Sequence, residues 1–321
     1  MPKWLVERGI GETRAALVDT DRILEARIEL EGAIPAGTVL RGRLSAVGSN
    51  GRNAVAVDEK GAEYLLPRGA IGVTEGGRLT FEVTRETIPG AEPWKRPLAR
   101  VTDKLPDAMP SLAERLDGRE IPFPAEDGLG GLGWDDLIDE ARSGIARFNG
   151  GELRISVTPA MTVIDVDGFL PPDELAVAGA TEAARTIRRL DIGGSIGIDL
   201  PTSGRRAVRQ QAAAAIDAAL PQPFERTAVN GFGFIQIVRP RARPSLLELA
   251  EDRAAFEARA LLRRLAFEPP GGKRVVAHPA VVALLTKRDE WTRLLARQLG
   301  GTIELRADAA LPISGGHATS L

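Results

Sequence analysis

Between Met161 and Pro201 the chain reads MTVIDVDGFLPPDELAVAGATEAARTIRRLDIGGSIGIDLP, and two short apolar runs within it each lead into an aspartate. Met161–Val166 is β-branched and lies between Pro159 and Gly168, while Ser195–Leu200 lies between Gly193-Gly194 and Pro201. Both patterns predict buried strands. Asp173–Arg189, between them, is alanine-rich and broken only by Gly179, which predicts a helix. Strand, helix and strand in immediate succession form a crossover unit, whose strands run parallel and finish at the same edge of one sheet. Asp165 and Asp199 are therefore expected together on that edge.

Two carboxylates so placed repel each other, and a divalent cation removes that cost. Oxygen-only ligands suit magnesium, with manganese as the alternative; such ions take one or two protein carboxylates and leave other positions to water and phosphate. Asp167 is two residues beyond Asp165, so an extended chain turns it to the same face. Aspartates at strand ends also begin loops and cap helices, and that reading competes with the metal site for each residue singly.

At 321 residues the chain is long enough for two or three domains. Lys+Arg of 42 against Asp+Glu of 44 leaves a net charge of -2, so any polyanion must be met by local basic patches. The absence of cysteine excludes disulfides and thiolate zinc sites, and only His278 and His317 supply imidazole, so histidine catalysis is not expected. The opening MPKWLVERGIGETR has early charges and no long apolar run, which gives no sign of a signal peptide or membrane span and fits a cytoplasmic protein.

Around the crossover unit the pattern alternates between strand-rich and helix-rich stretches. Trp4–Val6, Arg14–Val18 and Ile23–Leu30 predict an opening meander. Thr38–Val47, Asn53–Asp58, Ala62–Leu66 and Arg78–Arg85 are short segments between Gly/Asn/Ser turns, a spacing that predicts a small barrel. Such a barrel is a common platform for single-stranded nucleic acid, with Arg41, Arg43 and Arg52 placed to meet phosphates and Tyr64 to stack on a base. Ile88–Gly133 is rich in proline and glycine and reads as connection, with one short helix at Ser111–Leu116. Helices are predicted at Trp134–Ile145 and Arg205–Leu220, and a strand at Leu153–Val157. Arg205, Arg206 and Arg209 open the second of those helices against its dipole, which suggests a bound anion. The strand Phe234–Arg239 runs into Arg239, Arg241 and Arg243, a basic stripe that reads as a phosphate-binding loop. The tail predicts helices at Leu249–Leu265, Pro279–Leu285 and Asp289–Leu299, strands at Arg274–His278 and Thr302–Arg306, and a frayed end from 312.

These segments, in their order, resemble the ribonuclease E/G family. LVERGIGETRAALVDTDRILEARIE is similar to the family's amino-terminal strands, and GTVLRGRLSAV to its entry into an inserted S-one-type barrel of the OB fold. GGELRISVTPAMTVIDVDG, EAARTIRRLDIGGSIGIDLP and GFGFIQIVRPRARPSL resemble its catalytic subdomain, and KRVVAHPAVVALL the end of its short members. The resemblance implies an α/β (α+β) chain with an RNase H-like/DNase I-like nuclease core. Its divisions would be amino-terminal strands at 1–35, a barrel at 36–88, a connection at 89–133, a catalytic core at 134–248 and a small α/β subdomain at 249–321.

It further implies endonucleolytic cleavage of single-stranded RNA to 5′-phosphate and 3′-hydroxyl ends, with Asp165 and Asp199 on the family's magnesium-holding aspartates. Asp167 stands where the family has asparagine. The zinc-link cysteines are missing, so no zinc is expected and any homodimer must be built without that link. The region that senses a 5′-monophosphate is also largely missing. On this reading Asp165, Asp167 and Asp199 are catalytic, with RNA held by Arg41, Arg43, Arg52, Tyr64, Arg205, Arg206, Arg239 and Arg241. The alternatives are a non-catalytic RNA-binding protein on the same scaffold, or catalysis by other acids such as Glu182 or Asp191.

Overall fold

The computed structural model describes residues 1–89 and 95–321, so residues 90–94 of the expected connection lie outside the described residues. The chain begins with an antiparallel meander of β1 (Lys3–Arg8), β2 (Glu12–Asp19) and β3 (Arg22–Leu30). Next come β4 (Val39–Ala46), β5 (Ala54–Asp58), β6 (Glu63–Leu66), β7 (Arg78–Arg85) and β8 (Leu98–Val101), which close a barrel in the order β4-β5-β6-β8-β7. The closing strand β8 comes from the proline-rich stretch read as connection. Its four residues are too few for an alternation to register, and pairing with both β6 and β7 holds them in place.

Helix α1 (Leu112–Leu116) leads to β9 (Arg119–Ile121), which adds in parallel to β1, and then to α2 (Trp134–Ser143). A six-stranded sheet follows. It contains β10 (Ile145–Phe148), β11 (Gly151–Val157), β12 (Thr162–Gly168), β13 (Gly194–Asp199), β14 (Glu225–Arg226) and β15 (Phe234–Arg239), ordered β10-β11-β12-β13-β15-β14. The crossover is present as expected: α3 (Pro172–Arg189) joins β12 to β13, which pair in parallel, and α4 (Arg206–Ala219) follows β13. Gly179 has a packing role, because a Cβ there would lie 2.3 Å from Val166 Cγ1; the missing side chain lets α3 approach β12 closely.

The tail holds α5 (Leu246–Glu251), α6 (Arg253–Leu265), β16 (Lys273–Ala277), α7 (Pro279–Lys287), α8 (Asp289–Leu299), β17 (Ile303–Ala307) and β18 (His317–Ser320). The single helix expected at 249–265 is interrupted by Asp252, whose carboxylate accepts from Ala255 N–H and caps α6. The expected frayed end instead contains β18, which pairs antiparallel with β16. Its residues, HATS, show no apolar alternation, so backbone pairing alone places the strand. His278 caps α7, its Nδ1 accepting from Ala280 N–H at 3.2 Å.

Two compact units result. The first joins Met1–Glu31, Leu112–Ser143 and Leu249–Leu321; the second joins Gly32–Ser111 and Gly144–Glu248. A core of the first unit packs Ile10 together with Leu261, Leu262, Leu265, Val281, Trp291 and Leu295. In the second unit, Leu44, Ala56, Tyr64, Leu66, Phe81 and Val83 fill the barrel. No helix among the described residues is long and apolar enough to cross a membrane.

Candidate active site

Strand parity builds the site. In β12, Ile164 and Val166 are buried, and in β13, Ile196 and Ile198 are buried, so the alternate residues face away from that core. Asp165 and Asp199 are direct register partners on these neighbouring parallel strands, and both are exposed. Adjacent strands lie about 4.8 Å apart, so the two carboxylates start from neighbouring positions on one face. Neither makes an ion pair or a side-chain hydrogen bond among the described residues. Arg154 on β11 is in register with Asp165 but bonds Glu152 instead, through Nε at 3.0 Å. Like charges placed side by side and left unpaired are destabilising for a sheet.

Asp167 is exposed on the same face, and its Oδ1 accepts from Gly168 N–H at 2.8 Å. It lies opposite Glu152 and two residues past the aspartate pair. No group of three or more acidic or histidine side chains close enough to hold one ion is found among the described residues. What the sheet presents is a two-carboxylate arrangement. That fits a magnesium-type ion, which keeps most of its coordination for water and substrate oxygen. On the same face Phe234, in register with Asp199, covers Gly197; a Cβ on Gly197 would lie 2.6 Å from the Phe234 ring. The alternative acids are already engaged, Glu182 with Arg189 at 3.2 Å and Asp191 with Arg243 at 2.5 Å.

The basic residues divide sharply. Arg239 falls on the opposite parity of β15 from Phe234 and Gln236, and its Nη1 donates to the Ile192 carbonyl at 2.8 Å. Arg241 is ion-paired with the buried Glu248. Arg239 and Arg241 of the expected phosphate-binding stripe are therefore engaged by the chain itself while remaining half-buried. At the start of α4, Arg205 pairs with Asp173 at 2.8 Å, while Arg206 is exposed and has no partner among the described residues. Hydrogen bonds from Ser203 and Arg205 hold the Asp173 carboxyl below the usual carboxylate range.

On the barrel, Arg41 and Arg43 point outward from β4, and Arg52 is exposed in the turn before β5. Arg43 is in register with the exposed Arg78 of β7, a residue that nothing local in the sequence singles out. None of Arg41, Arg43 and Arg78 has a partner among the described residues, and together they line a groove of about 890 Å³. Tyr64 requires the opposite correction. It is 2% exposed, its ring lies 5.0 Å from that of Phe81, and its hydroxyl donates to Asp58 at 3.3 Å. A ring in the barrel core offers no face to a base. Burial first, then the Asp58 charge and its hydrogen bond, push the phenol up to about 12.

Compared with known protein families and with curated proteins, the chain matches no family model and no curated relative.

Proposed function

We propose that the chain is a metal-dependent endoribonuclease of the ribonuclease E/G type. It would cut single-stranded RNA by phosphodiester hydrolysis to leave 5′-phosphate and 3′-hydroxyl ends, on an RNase H-like/DNase I-like core with an inserted OB-type barrel. The observation that carries this reading is the Asp165–Asp199 register pair, exposed and without a protein partner on the open face of the six-stranded sheet. Asp165 and Asp199 would hold magnesium or manganese, which when bound polarises phosphate oxygens and lowers the pKa of its water. Asp167 keeps Oδ2 available to orient an attacking water. Arg41, Arg43 and Arg78 along the barrel groove, with Arg206 at the start of α4, would hold the flanking phosphates without reading sequence.

The test is incubation of a labelled unstructured RNA with magnesium and with chelator, for the native chain and Asp199→Asn. Native cleavage should vanish in chelator, and the variant should lose about a thousandfold in rate, the several kcal/mol that metal-assisted charge stabilisation supplies. RNA affinity should stay within about twofold, because the positioning contacts come from arginine. Cleavage retained by Asp199→Asn overturns the assignment; RNA binding with no products from the native chain replaces it with a non-catalytic RNA-binding protein.

A further inference from the structure

Among the described residues, the strongly exposed large apolar side chains include only two aromatics, Phe169 at 84% and Phe232 at 82%. Both lie at the sheet edge that carries the aspartate pair. Phe169 directly follows β12 beyond Asp165 and Asp167, and Phe232 precedes β15 two residues before Phe234, the register partner of Asp199. Because β12 and β13 run parallel and β15 opposes them, the end of β13 and the start of β15 lie level with Asp165, and β12 runs on to Gly168. Phe169 sits toward β11, its N–H donating to the Gly150 carbonyl at 3.1 Å. Phe232 sits toward β15, its N–H donating to Asn230 Oδ1 at 2.9 Å and its carbonyl accepting from Thr202 Oγ1 at 3.0 Å. The two exposed residues thus stand on hydrogen-bonded backbone, Phe169 on the β11 side of the aspartate pair and Phe232 on the β15 side.

We propose that Phe169 and Phe232 are stacking platforms for unpaired bases on either side of the scissile phosphate, a proposal that rests on the nuclease reading above. An apolar protein surface spanning both rings would bury Asp165 and Asp199 without partners, which is costly. A single strand of RNA instead alternates planar bases with phosphates, matching a surface that alternates ring, carboxylate pair and ring. Arg206 follows the Asp199 strand and adds a cation for the backbone. A duplex cannot offer the same contact, because its bases are already stacked on one another. The site therefore selects RNA that is unpaired on both sides of the cut.

The experiment titrates the full chain, in chelator, into a short RNA carrying a fluorescent purine analogue whose emission is quenched by stacking. The native chain should quench it. Phe169→Ala and Phe232→Ala should each weaken binding about tenfold and lose part of the quench, within the range seen for base–aromatic stacking, while Phe→Tyr at either position restores both. A hairpin that pairs the same bases should bind without quenching. Alanine variants that bind and quench like the native chain overturn the proposal. So does sedimentation in which Phe232→Ala splits a dimer and leaves RNA binding unchanged, since a second copy then covers the ring. Quenching by a chain that never cleaves with magnesium leaves the platforms standing and removes the nuclease reading; cleavage without quenching does the reverse.

Discussion

Two regions of this molecule handle charge in opposite ways. In the first unit, Glu7 and Arg14 are 0% and 1% exposed and are ion-paired with each other, with Arg14 Nη2 left without a partner. Arg14 donates to Glu7 and to Glu12 at 2.7 Å, Arg259 reaches Glu12 at 2.8 Å, and Arg263 bridges Glu7 at 3.1 Å to Asp127 at 2.6 Å. Burial pulls the Arg263 guanidinium toward losing its proton, yet the Glu7 and Asp127 carboxylates outweigh it, so its pKa lies above the usual value. In the second unit the notable cross-strand neighbours have like sign, Asp165 beside Asp199 on the sheet and Arg43 beside Arg78 on the barrel, all of them exposed. A network of alternating sign satisfies itself and serves the fold. An exposed pair of one sign weakens the fold slightly and finds no relief within the pair.

That contrast can be broken by mutation. The largest effect on stability is expected from Glu7→Gln, which leaves buried guanidinium charge uncompensated and should cost about 3–5 kcal/mol in denaturant unfolding. Asp165→Asn should change stability by less than about 0.5 kcal/mol in the same assay, as an exposed substitution that relieves repulsion. Equal losses at both positions would erase the distinction. A smaller effect is expected on the barrel: Arg78→Ala should weaken RNA binding and lower the slope of log affinity against log salt by about 1, while Arg241→Ala leaves that slope unchanged. A slope that falls only for Arg241→Ala would return the phosphate contact to the loop after β15.

The smallest effect is spectroscopic and sharpens the distinction inside the barrel itself. Tyr64 is the only tyrosine, so phenolate absorbance reports it alone. It should titrate near pH 12, against about 10 for a free phenol. The fold retains the proton more tightly than the unfolded chain does. Its stabilising contribution is therefore complete below about pH 10 and is lost as pH rises toward 12. Titration near 10 would mean the ring is not in the core.

Much of the fold could be read locally. Apolar runs, turn residues and an alanine-rich helix outlined the crossover, four of the five barrel strands and most tail elements, because burial periodicity and turn chemistry are properties of neighbouring residues. The strands β8 and β18 escaped that reading because they are short and are held by partners distant in the chain. The register of Asp165 with Asp199 was legible because a crossover constrains both strands at once. Tyr64 was misread as a stacking ring, and Arg239 and Arg241, expected on phosphate, are bonded within the chain. A side chain in a strand or loop has two faces to choose from: the core took the Tyr64 ring, while Arg239 and Arg241 are half-buried and bonded to the Ile192 carbonyl and to Glu248.

The sequence alone determined which residue types stand along these strands and that two aspartates lie on parallel strands of one unit. Tertiary structure decided which charges are paired within the chain and which stay unpaired among the described residues. Arg243 finds Asp191 and Arg263 finds Glu7 across long stretches of chain, and Arg43 meets Arg78 only because the barrel closes in that register. Electrostatic pairing depends on distance in space, and folding sets that distance with little regard to separation along the chain.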